Sequence, residues 1–115
     1  MGQWVKGKSH DTYGPTGPYL VTKDEIKDVN NLKMILDVNN ERRQTGNTKT
    51  MIFDVDYIVS YVSQFMSLQP GDIITTGTPP GVGMGMKPQL FLKAGDKIKL
   101  SIENLGEQNS KVVSV

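Results

Sequence analysis

The sequence predicts an α+β fold, mainly β, in a single domain spanning residues 1–115. Three observations predict it. Apolar and polar residues alternate in short runs at 32–38 and 98–102. A helical apolar stripe occupies the segment 54–68. Turn-forming pairs punctuate the rest: Asn39-Asn40, Pro70-Gly71, Gly95-Asp96 and Leu105-Gly106.

At 115 residues and 12.7 kDa the chain has room for one modest core and none for two lobes around a cleft. Thirteen Lys and Arg against 12 Asp and Glu leave a net charge of +1, so no overall field steers it to nucleic acid or membrane. With no Cys, disulfides and thiolate metal sites are excluded, and a cytoplasmic, reducing setting is expected. A single His excludes multi-His metal centres. No apolar run approaches the roughly 20 residues of a membrane span, and the N-terminus has no apolar signal region. Trp4 stands so close to the start that the domain reads as a piece of something longer.

Residues 6–19 carry three Gly and two Pro, which argues against a helix or a long strand. Tyr13 and Tyr19 mark the stretch as a packed loop rather than a flexible linker. Thr22 followed by Glu25 resembles a capping box. Leu32, Met34, Leu36 and Val38 alternate with Lys33, Ile35 and Asp37, a strand with one buried face. Asn39-Asn40 closes a two-residue hairpin, and Glu41 to Thr45 return.

Within 54–68, Val55, Ile58, Val59, Val62, Phe65 and Met66 form the stripe, and Asp54 and Asp56 suit the positive N-terminal end. Pro70-Gly71 ends the helix in a type II turn. Ile73 to Thr76 is expected as a short strand, followed by a second Gly/Pro-rich loop over 77–88. Leu90 to Leu92 precede the Gly95-Asp96 turn and a strand with Ile98, Leu100 and Ile102 on one face. A last strand ends at Val112-Val113-Ser114-Val115. The spacing Leu68-x-Pro70-Gly71-Asp72 recurs as Leu92-x-Ala94-Gly95-Asp96, which reads as shared turn chemistry rather than duplication.

Ordered loops without apolar periodicity often carry function, although both here also read as tight connections. Gly81-Val82-Gly83-Met84-Gly85 lacks a dinucleotide-binding spacing and does not open the helix. Gly7-Lys8-Ser9 matches the tail of a phosphate-binding loop without the helix that should follow. His10 has no carboxylate at an orienting spacing, which makes it a solvent-facing residue rather than a base. Asp11, Asp24, Glu25 and Asp28 lack the spacing of a calcium loop, and Arg42-Arg43 is too short for a nucleic-acid patch.

Several blocks together resemble the fumarylacetoacetate hydrolase family. They are Gly7-Lys8-Ser9-x-Asp11-Thr12, then Gly14-Pro15-x-Gly17-Pro18, Asn39-x-Glu41, Gln44-x-Gly46-x-Thr48 and Met51-Ile52-Phe53. The most diagnostic is Leu68-x-Pro70-Gly71-Asp72-Ile73-Ile74-x-Thr76-Gly77-Thr78-Pro79-x-Gly81-Val82-Gly83, and Gly95-Asp96 to Leu105-Gly106 completes the set. The wording is closest to the branch with diketo-deoxy-sugar-acid hydrolases, ureidoglycolate-lyase-like proteins and hydroxyheptadienedioate isomerases.

The resemblance implies part of a mixed β-sandwich roll and a magnesium- or manganese-dependent enzyme. Its substrates would be 2-oxo or 2,4-dioxo acids, cleaved by C–C hydrolysis, decarboxylated or isomerised. By the same resemblance Lys8 is the catalytic lysine, Thr12 lies near the metal, and Thr78 with Gly77 binds the substrate carboxylate. Gly81 would let backbone approach that carboxylate. Gln44 matches a position open to either a site role or a hairpin role. The family's metal-binding Glu-x-Glu and later Asp, and its His–Glu pair, lie upstream of the Gly-Lys-Ser loop and are not in this sequence. The chain therefore resembles the C-terminal half of such a domain. The expected associations are a homodimer or a missing N-terminal half. The alternative is a non-catalytic β-rich remnant or assembly module.

Overall fold

A computed structural model describes residues 2–114. It is built on one four-stranded antiparallel sheet of β1 (Lys33–Val38), β2 (Glu41–Asn47), β3 (Lys97–Ile102) and β4 (Gly106–Lys111), in the order β2-β1-β3-β4. The helices are α1 (Trp4–Lys8) and α2 (Val55–Ser63), with one-turn 3-10 helices at Lys23–Glu25, Thr48–Thr50 and Gly83–Gly85. The mainly-β, α+β expectation holds.

Local chemistry explains the hairpins. Asn39 and Asn40 both adopt positive φ, 52° and 68°, the geometry a tight two-residue turn demands and asparagine tolerates. The Asn39 side chain also accepts from the Lys97 N–H and donates to Asp96, both at 2.9 Å, so the turn is pinned to the start of β3. β1 is central, pairing β2 on one side and β3 on the other.

Directly opposed residues share a face of a sheet. One row reads Gln44, Leu36, Leu100, Gln108 across β2, β1, β3 and β4; the next reads Gly46, Met34, Ile102, Gly106. This face is apolar between two polar or residueless edges. The other face carries Asp37 with Arg42 and Lys99 with Glu107, the latter pair 2.9 Å apart. Lys99 and Asn109 hold the Glu107 carboxyl below its usual range.

The two long loops are tied onto this face at its two edges, and among the described residues no second sheet lies over it. The core is small: Ile26, Leu32 and Val38 are buried, and so is Gln44. Accessible surface is 9830 Å², against about 6,200 Å² for a compact chain of this mass. The radius of gyration is 15.6 Å, against about 13 Å. Much apolar surface is therefore uncovered, including Phe53, Tyr57, Tyr61 and Phe65, which stack in succession along α2.

Several local expectations are corrected. Both prolines and two of the three glycines of 6–19 fall after Tyr13, and α1 forms before them with Gly7 inside it, closed by Ser9 N–H to Val5 O at 3.0 Å. Thr22 does not form a capping box; its backbone carbonyl accepts from Glu25, and its side chain instead lowers the Asp24 carboxyl. The long helix ends at Ser63, not at 68. Gln64 and Phe65 bond back three residues instead of four, the Ser63 hydroxyl competes for the Ser60 carbonyl at 2.8 Å, and Phe65, edge-on to Tyr61, and Met66 both stay exposed.

Ile73 to Thr76 belongs to no strand, nor does Leu90 to Leu92, because no described strand lies alongside to complete a ladder. The last strand ends at Lys111; Val115 lies outside the described residues. The recurrent turn is real. Asp72 accepts from the Gln69 N–H at 2.7 Å and Asp96 from the Lys93 N–H at 2.8 Å, beside Gly71 and Gly95 at φ 99° and 97°.

Candidate functional site

The second loop is fastened to the β2 edge of the apolar face. Gln44, almost fully buried, donates through Nε2 to Thr78 Oγ1 at 2.9 Å and to the Pro79 carbonyl at 2.8 Å. Two residues on, Gly46 lies beneath Pro79: a Cβ there would stand 2.7 Å from the Pro79 Cβ. Gly81 rests against the Arg43 carbonyl with no room for a side chain. The contact that requires glycine at 81 is thus with the chain's own β2. Gly83 is likewise pressed on the Leu90 carbonyl, so the Gly81–Gly85 run packs on its own backbone.

Beside this fastening lies an open groove of about 400 Å³, whose lining includes Met34, Met51 and Ile58 together with Thr50, Gly77 and Thr78. Gly77 has φ 94°, and the space a Cβ would occupy is empty. The lining has no charged side chain; its polar atoms are hydroxyls, the Asn47 amide and backbone. Such a groove offers hydrogen-bond donors to an anionic head and apolar contact to a short carbon tail. A second groove of about 370 Å³, beneath Gly81 and Phe91, lies on the far side of Gln44.

The first loop is fastened at the opposite edge by the same two residue types in the same two rows. Gln108 Nε2 donates to the Gly17 carbonyl at 2.6 Å and to Pro15 at 3.3 Å. Gly106, at φ 83°, sits under Tyr19 and Pro18; a Cβ there would stand 2.7 Å from the Tyr19 hydroxyl oxygen. The two ties lie on one face, three strand spacings or roughly 14 Å apart.

Among the expected site residues, Gly77 and Thr78 meet in the first groove. Lys8 and Thr12 lie on the exposed arm before the Pro15–Tyr19 tie and line neither groove. His10 is exposed and packs against Tyr13. Sequence reasoning missed Asn47, Thr50 and Ile58 as groove residues and Gln108 as an anchor. The signal for the first two was the Gly46-x-Thr48 block; for Gln108 there was none. Among the described residues no three His, Asp or Glu side chains gather as metal donors. With a neutral groove, the described residues do not form a divalent-metal site.

The profile described as "Fumarylacetoacetate (FAA) hydrolase C-terminal" matches residues 1–113. The chain belongs to the fumarylacetoacetate hydrolase family. It is 60% identical over 111 residues to 2,4-didehydro-3-deoxy-L-rhamnonate hydrolase of Sphingomonas sp. (strain SKA58), a match covering 96% of this chain and 39% of that protein. Among solved structures it resembles the fumarylacetoacetate hydrolase of Exiguobacterium antarcticum, with TM-score 0.92 and 45% identity over 96% of this chain and 39% of that one. It also resembles maleylpyruvate hydrolase of Sphingobium sp. SYK-6 in complex with manganese(II) ion and pyruvate, with TM-score 0.82 and 40% identity over 90% of this chain and 37% of that one. A divalent metal is therefore found within the family. The chain spans about two fifths of the length of these relatives. No helix among the described residues is long and apolar enough to cross a membrane.

Proposed function

We propose that this chain supplies the substrate-holding side of a site acting on 2-oxo or 2,4-dioxo acids by C–C hydrolysis, decarboxylation or isomerisation. The observation that supports it is the Thr78 hydroxyl, held by Gln44 at the rim of a neutral groove with open space at Gly77. The relative solved with manganese and pyruvate, a 2-oxo acid, matches 90% of this chain.

In this reading Thr78 and the backbone N–H groups of the Gly77 turn hold the carboxylate, and the apolar wall takes the carbon chain. Charge building on the keto oxygen is met by the Lys8 ammonium, brought over the sheet face on its arm with Thr12 beside it. The magnesium or manganese ion would add Lewis-acid stabilisation when bound, on carboxylates that this chain's described residues do not supply.

Titration of the chain with pyruvate, followed through amide NMR shifts, tests the substrate-holding part. The expected result is millimolar-range binding that moves the Gly77 and Thr78 amides and weakens in Thr78→Val. Saturating shifts elsewhere, or none, would overturn the reading.

A further inference from the structure

We infer that Gln44 is a positioning residue that sets the direction in which the Thr78 hydroxyl gives its proton. The inference rests on the reading of Thr78 as the carboxylate-holding group and deepens it.

The argument is one of donors and acceptors. A side-chain amide nitrogen has two protons and accepts nothing; a hydroxyl has one proton and two lone pairs. Gln44 Nε2 faces the Pro79 carbonyl at 2.8 Å and the Pro80 carbonyl at 3.5 Å, both of which only accept. The nitrogen, not the oxygen, must therefore point there. Its other proton goes to Thr78 Oγ1 at 2.9 Å. Thr78 is the acceptor in that bond, so its own proton is directed away from Gln44. Among the described residues its acceptor is the Pro79 carbonyl, at a long 3.2 Å. A carboxylate in the groove is a stronger acceptor and takes the proton in a charge-assisted bond.

Burial makes this arrangement firm. Gln44 is 9% exposed, so breaking its bonds strands donors away from water. Its row places it on the apolar face, opposite Leu36 of β1. Gln108 occupies the matching place at the other edge but grips only main-chain carbonyls. It anchors a segment and orients no side chain.

The test is a double-mutant cycle of Gln44→Met and Thr78→Val read by pyruvate affinity, with Gln108→Met as control. Gln44→Met should weaken pyruvate about five- to tenfold, part of the worth of a hydrogen bond to an anion, since the hydroxyl remains but loses its orientation. The same change in a Thr78→Val background should have almost no further effect, and Gln108→Met should leave affinity within twofold. If Gln44→Met weakens binding equally in both backgrounds, Gln44 is only a strap for the loop and the inference fails.

A second measurement needs no substitution at Gln44 and no ligand. In the unaltered chain the Thr78 methyl couplings should report one χ1 rotamer, and Thr78→Val should move one of the two Gln44 Nε2 proton resonances far more than the other. Averaged couplings, or equal movement of both protons, would overturn the inference. If pyruvate does not bind while these signatures hold, the substrate reading fails and the positioning geometry stands.

Discussion

The two long loops are held at opposite edges of one sheet face by the same pair of residue types, yet they are held to different effect. At the β2 edge, Gln44 and Gly46 secure a loop whose candidate substrate-holding hydroxyl, that of Thr78, is itself part of the tie. At the β4 edge, Gln108 and Gly106 secure a loop through main-chain carbonyls and an aromatic ring, and Lys8 and Thr12 lie several residues before the tie. The first arrangement orients an atom. The second fixes where an arm leaves the sheet and leaves its tip to be oriented by whatever packs on it. Pre-organisation thus differs across the candidate site: complete for Thr78, partial for Lys8.

Breaking the ties should expose the difference. Gly106→Val forces a β-branched residue into a left-handed conformation and against Tyr19, a loss of about 2–4 kcal/mol by denaturant unfolding. Gly46→Ala meets Pro79 without unfavourable φ and should lose about 1–3 kcal/mol. Only the Gly46 change should disturb the Thr78 amide. Disturbance of Thr78 by both, or by neither, would show that the two ties are not independent.

On the proposed function, in an assembly that supplies the metal ligands, Lys8→Met should lower turnover at least about tenfold and spare the fold, because in that reading it removes charge where the oxyanion develops. Thr78→Val should act mainly on KM. Turnover unchanged in Lys8→Met would remove the arm from the chemistry.

The smallest effect concerns the turn leading into β3. The Lys93 N–H and then the Asn39 amide hold the Asp96 carboxyl below its usual 3.8. A carboxyl whose folded pKa is depressed stabilises the fold above its unfolded value and loses that contribution as pH falls through the folded one. The stability difference between the wild type and Asp96→Asn should therefore be full at neutral pH and close progressively below pH 3.8. A difference that persists undiminished in acid would show that the carboxylate charge is not what holds the turn.

Much of this could be read from local sequence. Asn39-Asn40 announces its hairpin, Asp54 caps α2 through a 2.7 Å bond from the Tyr57 N–H, and the two Gly-Asp turns are what their spacing suggests. Thr78 and Gly77 were legible through motif resemblance, and they share a groove. What was not legible depends on register. Nothing local says that Gln44 and Gln108 stand in one row, since that follows from three separate strand pairings. Ile73 to Thr76 has a strand's composition without a partner among the described strands, so propensity alone misleads there. The helix expectation ran too long for a related reason: Phe65 and Met66 continue the stripe, but both stay exposed, so little burial extends the helix to them.

The central claim is that an anionic 2-oxo acid lies in the Thr78 groove with its carboxylate at the loop and its carbon tail on the apolar wall. Intermolecular NOEs from the methyl protons of pyruvate to the chain's side chains read this directly. Contacts to Met34, Met51 and Ile58, together with perturbation of the Gly77 and Thr78 amides, are predicted; contacts confined to the second groove at Phe91 or to the arm at Tyr13 would contradict the account.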